Sequence, residues 1–303
     1  MSITGLLSFP LTPFAADDTV DVDVFAEHVS RQLDAGPGGL FVACGTGEYT
    51  ALSLAEYRTV VATAVRLAAG RVPVFAGTGG GPQQAREFAL AAADSGADGL
   101  LLLPPYLVRS TPAGLVRHVR YVAGATPLPI VVYQRDNAVL DPAAAVELLD
   151  VPTVAGIKDG RGDVVAMLRL VTAVRASGHP RAAEFSFLNG LPTAEMSVQA
   201  YRAIGVDSYS SAVLCFAPDI ATAFHRAVGA GDDARVQALL TEFYLPFVAL
   251  RDQVPGYAVA LVKAGARLSG LRVGPVRPPL VDAGPGHVEQ LAAIIERGRE
   301  ALA

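Results

Sequence analysis

The chain has 303 residues, 51% of them hydrophobic and 17% charged, with a formal net charge of −5 at pH 7. That is enough sequence for one large α/β core, and the balance is globular rather than disordered. The negative charge gives no footprint for nucleic acid or an anionic membrane surface, and the most apolar stretch, "GLLLLPPYLV", breaks at Pro104-Pro105, short of the ~20 residues a membrane helix needs.

The N-terminal "MSITGLLSFP" lacks the basic region of a secretory signal, which predicts a cytoplasmic protein. A first apolar run at 5–9 leads through "PLTPFAADD" into the helical pattern "DVFAEHVSRQLDAG". The turn has none of the glycines that open a dinucleotide-binding open sheet. A second run at 40–44 precedes "LAEYRTVVATAVRLAAG", where Ser53 and Glu56 form a capping box and Gly70 suits a left-handed end. Further runs follow at 73–76, 99–103, 130–133, 154–158, 185–188 and 206–210. Helices starting "TPAGL" and "DPAAA" each place a cap residue before a first-turn proline.

Strands apolar on both faces and separated by helices are parallel strands. Eight such units over residues 1–230 predict a (β/α)₈ TIM barrel carrying the active site. Strand signals then stop, and residues 231–303 read as a C-terminal extension of three helices. Two cysteines, Cys44 and Cys215, are too few for a disulfide framework and read as small buried hydrophobes.

A parallel barrel carries its working groups at the C-terminal ends of its strands. The sixth run ends in Lys158, one of only two lysines; the other is Lys263, although arginine is plentiful. Partial desolvation inside a barrel favours a neutral amine, which attacks ketones to give an imine; guanidinium cannot do this. The alternative for Lys158 is an ion pair with Asp159 or Asp163. Tyr133 ends the preceding strand, so it is expected beside Lys158, as a proton shuttle or as a rim tyrosine with a satisfied hydroxyl. "GTGE", Gly45 to Glu48, offers backbone N–H groups and Thr46 to a carboxylate, although any tight turn uses glycine. "GTGGGP", Gly77 to Pro82, lacks the lysine of a phosphate loop and reads as a turn. The five histidines, His28, His118, His179, His225 and His287, have no metal spacing, so no metal site is expected.

Together, "GTGE", "PPY", Tyr133 and "GIKD" resemble the family of dihydrodipicolinate synthase and N-acetylneuraminate lyase, along essentially the whole chain including the helical tail. The resemblance implies Lys158 as the Schiff-base residue and Tyr133 as the acid/base. It also implies that the Thr46-Gly47 turn binds the carboxylate of a 2-oxo acid. Members are commonly tetramers built as pairs of dimers, which implies a homo-oligomer, dimer or tetramer, here, and Tyr106 matches a relay tyrosine that a neighbouring subunit donates. In the synthases a hydroxyl residue stands where this chain has Gly45, and the tyrosine is followed by Asn-x-Pro rather than "QRDN". "YQRDN" and "KDGRGD" instead resemble the branch that dehydrates and decarboxylates 5-dehydro-4-deoxyglucarate, apart from Gln134, where asparagine is expected.

That resemblance implies a lyase working through one lysine imine, with no metal or organic cofactor and a small sugar acid as substrate. A substrate with carboxylates at both ends needs a second anion site, for which Arg135 is the candidate unless it is a solvated loop residue. Asn189, Ser208 and Ser210 are expected to hydrogen-bond the substrate hydroxyls. Two alternatives stay open: an aldolase or synthase acting on pyruvate or another 2-oxo acid, and a barrel that senses a 2-oxo acid without turnover.

Overall fold

Strands apolar on both faces leave a sheet no edge or side that water can cover, and here the sheet closes on itself. The computed structural model describes residues 3–105 and 107–302. β1 (Leu6–Ser8), β2 (Gly39–Val42), β3 (Val74–Thr78), β4 (Gly99–Leu102), β5 (Ile130–Gln134), β6 (Val154–Asp159), β7 (Ser186–Asn189) and β8 (Ser208–Ser211) form one closed parallel barrel in chain order. Each lies within two residues of its sequence-predicted run at both ends. Phe9, Phe41 and Phe75 stack inside the barrel with centroids 4.8 and 4.7 Å apart. Gly99 admits the last ring, because a Cβ there would fall 2.3 Å from it.

The pairing of β5 with β6 contains an irregularity that decides the site. Ile130 pairs with Val154, but Val131 pairs with Gly156, so Ala155 is an extra residue. Side chains alternate faces along a strand, and one inserted residue inverts the alternation beyond it. Val154 and Ile157 therefore both pack in the layer between barrel and helices. Beyond the insertion Tyr133 pairs with Lys158, and Gln134 pairs with Asp159.

The helices follow local signals. Ser53 and Glu56 make both bonds of the capping box of helix Leu54–Ala68, and Thr111 and Asp141 cap helices that begin with proline. At the end of Leu54–Ala68 the first left-handed residue is Ala69 (φ 47°), with Gly70 (φ 76°) following it. Gly231 closes helix Pro218–Ala230, and the extension begins there. Its first helix runs from Asp233–Leu239 to Leu245–Arg251 through a π turn at Leu240–Tyr244. Pro246 has no N–H and crowds the carbonyl one turn back, so the wider turn before it lets the helix continue. Helices Tyr257–Leu268 and Pro285–Glu300 complete the tail. Phe216, Phe224, Phe243 and Phe247 share one core with them, so architecture changes at Gly231 while packing does not. No helix of the described residues is long and apolar enough to cross a membrane.

Both cysteines are buried, and burial pushes each thiol up to about 12. They behave as small hydrophobes, as expected. Burial draws His28 down to about 3, and its Nε2 accepts the Leu11 N–H at 3.1 Å. Among the described residues no three metal-ligating side chains cluster.

One buried acid lies behind β8. Glu195 accepts the Ser211 hydroxyl at 2.5 Å, and burial pushes its carboxyl up to about 7. The folded value is above the unfolded one, so this group's stabilising contribution is fully present below pH 4.5 and is lost as pH rises through 7. Glu195→Gln keeps the acceptor for Ser211 but cannot ionise. Urea unfolding is expected to show the variant gaining on the parent by roughly 3 kcal/mol between pH 4.5 and 8. A difference independent of pH would mean that Glu195 does not titrate in this window.

Candidate active site

Lys158 and Tyr133 project from paired positions of β6 and β5 into the C-terminal mouth of the barrel. Lys158 is 5% exposed and Tyr133 is 8% exposed. The Tyr133 hydroxyl donates to the Gly190 carbonyl at 3.0 Å, and Lys158 Nζ donates to the same oxygen at 3.3 Å. Nζ also lies 3.8 Å from the centre of the Tyr133 ring and 4.9 Å from that of Phe9. An amine and a phenol thus converge on one carbonyl between aromatic faces.

The acidic neighbours in sequence are engaged elsewhere. Asp159 faces the helix layer, where it accepts from Gln134 Nε2 at 2.8 Å, from the Tyr201 hydroxyl, and from the N–H groups of Arg161 and Gly162 at 3.3 Å. Asp163 caps helix Val164–Ala176 through Ala166 N–H. The ion-pair alternative for Lys158 therefore gives way. Gln134 also accepts the Leu140 N–H at 3.3 Å, so the glutamine that departs from the expected asparagine ties loops together outside the barrel.

A cavity of about 200 Å³ opens above Lys158, with Tyr133, Thr46, Arg135, Ser210 and Gly190 on its wall. Thr46 is therefore where the sequence placed it. Gly47 supports the turn from below: Thr12 Oγ1 donates to its carbonyl at 2.7 Å, and a Cβ would meet Pro10 O at 3.1 Å. Among the described residues neither Thr46 N–H nor Gly47 N–H has a hydrogen-bond acceptor. At Gly45 a Cβ would have nothing within 4 Å, so the place of the synthases' hydroxyl is open space. Arg135 reaches the rim half-exposed, its Nε 3.1 Å from Asp136 Oδ2.

Two expected substrate ligands are not on this wall. Asn189 is fully buried and donates to Ala194 O at 3.2 Å and Ser197 Oγ at 2.9 Å, which folds the turn after β7. Ser208 begins β8 rather than ending it, and its hydroxyl donates to Ile3 O at 3.1 Å, toward the closed end of the barrel. Ser210, two residues on, lines the cavity and donates to Asn189 O at 3.5 Å. Tyr106 lies outside the described residues. Asn137 Nδ2 donates to Pro105 O at 2.6 Å and Val108 O at 2.8 Å.

Gly190 is the residue that sequence reasoning passed over. A Cβ there would lie 2.5–2.6 Å from Lys158 Cγ, Cε and Nζ, so a side chain would displace the lysine. Its signal was present in "LNG", where a strand-end glycine marks a close approach of backbone to another group. Ala258 and Val259 of the tail also line the cavity, and no local motif announces them.

Residues 2–298 match the model of the dihydrodipicolinate synthetase family. A Streptomyces coelicolor protein named "Probable 5-dehydro-4-deoxyglucarate dehydratase 1" is 54% identical over 296 residues, covering 98% of this chain and 93% of that protein. A Bradyrhizobium diazoefficiens protein named "Probable 5-dehydro-4-deoxyglucarate dehydratase" is 43% identical over 295 residues, covering 97% of this chain and 92% of its own length. Among solved structures, a prophage protein of E. coli K12 from the dihydrodipicolinic acid synthase family, in complex with pyruvate, has a TM-score of 0.86 and 26% identity over 98% of each chain.

The two lysines differ in access, which gives a direct check of the geometry. Reductive methylation of the native protein with formaldehyde and cyanoborohydride is expected to modify Lys158 well before Lys263, which is 0% exposed and ion-paired. Peptide masses over time measure both. Equal rates would contradict the cavity described above Lys158.

Proposed function

The chain belongs to the dihydrodipicolinate synthetase family, and we propose that it dehydrates and decarboxylates 5-dehydro-4-deoxyglucarate through an imine on Lys158. The products are 2,5-dioxopentanoate, carbon dioxide and water. The substrate assignment rests on the names of relatives that are 42–54% identical along nearly the whole chain. The observation that carries the chemistry is the pairing of Lys158 with Tyr133 on the Gly190 carbonyl, away from any carboxylate partner in Asp159 or Asp163.

Attack of Lys158 Nζ on the C5 ketone gives a carbinolamine, and loss of water gives a protonated imine. The C6 carboxylate, next to that carbon, is assigned to Thr46 Oγ1 and the Thr46 and Gly47 N–H groups, which have no acceptor among the described residues. The cationic imine acidifies C4. Tyr133, whose ring lies 3.8 Å from Nζ, is assigned the proton transfers at the carbinolamine, and its reach makes it the candidate for C4. The enamine expels the C3 hydroxyl as water and leaves an iminium conjugated to C3. Electrons of the C1–C2 bond then flow into that system as carbon dioxide departs. Protonation and hydrolysis release the dioxo acid and free Lys158. One imine serves both eliminations, and the reading calls for no metal or organic cofactor.

The C1 carboxylate must be held so that the C1–C2 bond overlaps the conjugated system. Arg135 is the only arginine among the described cavity-lining residues, so we assign it this grip. Its pair with Asp136 is exposed, and exposed pairs contribute only ~0–1 kcal/mol, so a substrate carboxylate can replace Asp136. Ser210 is the serine on the wall that can meet a substrate hydroxyl. A cytoplasmic homo-oligomer completes the reading. An aldolase or synthase would share the imine but release no carbon dioxide, and a sensor would turn nothing over.

The test is carbon dioxide evolution from 5-dehydro-4-deoxyglucarate by the purified protein, expected in equal amount to 2,5-dioxopentanoate. Tyr133→Phe keeps the ring and removes the proton carrier, so a loss of about 10²–10⁴-fold, mainly in kcat, is expected. Absence of carbon dioxide would refute the dehydratase assignment, and near-normal turnover of Tyr133→Phe would reduce that residue to packing.

A further inference from the structure

The second lysine takes no part in the chemistry above, yet it joins a helix and a turn that both line the cavity. Lys263 belongs to helix Tyr257–Leu268, which also presents Ala258 and Val259 to the cavity one turn earlier. Its Nζ lies 2.7 Å from Glu48 Oε1, with the two side chains 0% and 2% exposed. It also donates to Pro275 O at 2.7 Å and stands 4.2 Å over the Phe14 ring. The other Glu48 oxygen accepts the Arg277 N–H at 2.9 Å. Glu48 thus receives both its ligands from the C-terminal extension.

Glu48 is the last residue of the "GTGE" turn and adopts a left-handed backbone, φ 54°. That conformation is unfavourable for a non-glycine residue, and a buried ion pair is not in itself more stabilising than an apolar pair of the same volume. Both costs are accounted for if what they secure is the shape of the turn. Arg277 adds a second tie: its guanidinium donates to Ala51 O at 2.7 Å and reaches Glu56 Oε1 at 2.6 Å, at the start of the helix that follows. The segment from Glu48 to Glu56 is therefore gripped at both ends by the tail.

We propose that Lys263 is a positioning residue whose ion pair with Glu48 holds the Gly45–Glu48 turn in the shape that receives the 2-oxo acid carboxylate beside Lys158. The C-terminal extension is on this account part of the carboxylate site rather than a packing appendage. The inference rests on the reading that Thr46 and Gly47 bind that carboxylate. It also gives the chain's sparing use of lysine a second instance. A compact ammonium fits between Glu48, Pro275 O and Phe14, where a planar guanidinium would need room for its fork.

Pyruvate is the probe, because it carries only the oxo group and the adjacent carboxylate. Inactivation by borohydride at increasing pyruvate gives the concentration for half-maximal imine formation and the rate at saturation. Lys263→Met alone leaves Glu48 charged and buried without its partner and is prone to unfold. The double variant Glu48→Gln/Lys263→Met removes both charges, and Glu48→Gln/Lys263→Gln is a second charge-free variant; circular dichroism and thermal melting report their fold. Thr46→Val is the control for the turn itself. For the folded charge-free variants about 10- to 100-fold more pyruvate is expected at half-saturation, with a much smaller fall in the saturating rate. Thr46→Val should shift in the same direction. If Thr46→Val shifts and the charge-free variants keep the parent value, Lys263 only packs and the inference fails. If Thr46→Val does not shift, the carboxylate reading of the turn fails on its own account, and the inference with it.

Discussion

The site depends on one extra residue in one strand. Ala155 bulges from β6 against β5, and this inverts the alternation of every residue that follows. Continued without the bulge, the alternation that sends Val154 toward the helices would send Lys158 there as well. With it, Ile157 joins Val154 in the outer layer, and Lys158 turns inward beside Tyr133. The same inversion turns Asp159 outward beside Gln134, where it accepts hydrogen bonds from four groups instead of pairing with the lysine. Placing the amine in the cavity and taking the nearest carboxylate away from it are thus one structural event.

Around that event the barrel is built to keep the lysine in place. Stacked phenylalanines fill the floor, and Phe9 gives Nζ an aromatic face. Gly190 brings a carbonyl where no side chain would fit, and the turn that bears it is folded by Asn189 and joined to the tail by Arg251, which donates to Thr193 Oγ1 at 2.6 Å. The two lysines show the same residue in two electrostatic settings. Lys158 meets a carbonyl and π faces, whereas Lys263 meets a buried carboxylate, and burial lowers its proton affinity even against that partner. Arginine serves where the cation is a clamp, as at Arg277 on Glu56 and Asp18.

Much of this was legible in the sequence, because strand ends and cap residues are local signals. The eight runs, the capping box at Ser53, the inward pairing of Tyr133 with Lys158 and the placement of Thr46 follow from pattern and from the rule that barrels work at their C-terminal ends. What was not legible is set by contacts between distant segments. Asn189 and Ser208 have the right chemistry for substrate hydroxyls, but backbone carbonyls at Ala194 and Ile3 claim them. Gly190 matters through a clash with Lys158, 32 residues away in sequence. Glu48 reads as the end of a motif, and its partner lies in a tail helix whose pattern is simply amphipathic. The bulge is not legible either: in a strand apolar on both faces, Val154 and Ile157 read alike with or without it, and only the packing puts both in one layer.

In the proposed mechanism the carbon skeleton of the substrate becomes attached to Lys158 during turnover. Borohydride added to the working enzyme with 5-dehydro-4-deoxyglucarate reduces any imine present, and peptide mass spectrometry locates the adduct. An added mass is expected on the peptide containing Lys158, none on that containing Lys263, and both adduct and turnover are expected to be lost in Lys158→Arg. Turnover without an adduct, or an adduct on Lys263 alone, would contradict the mechanism.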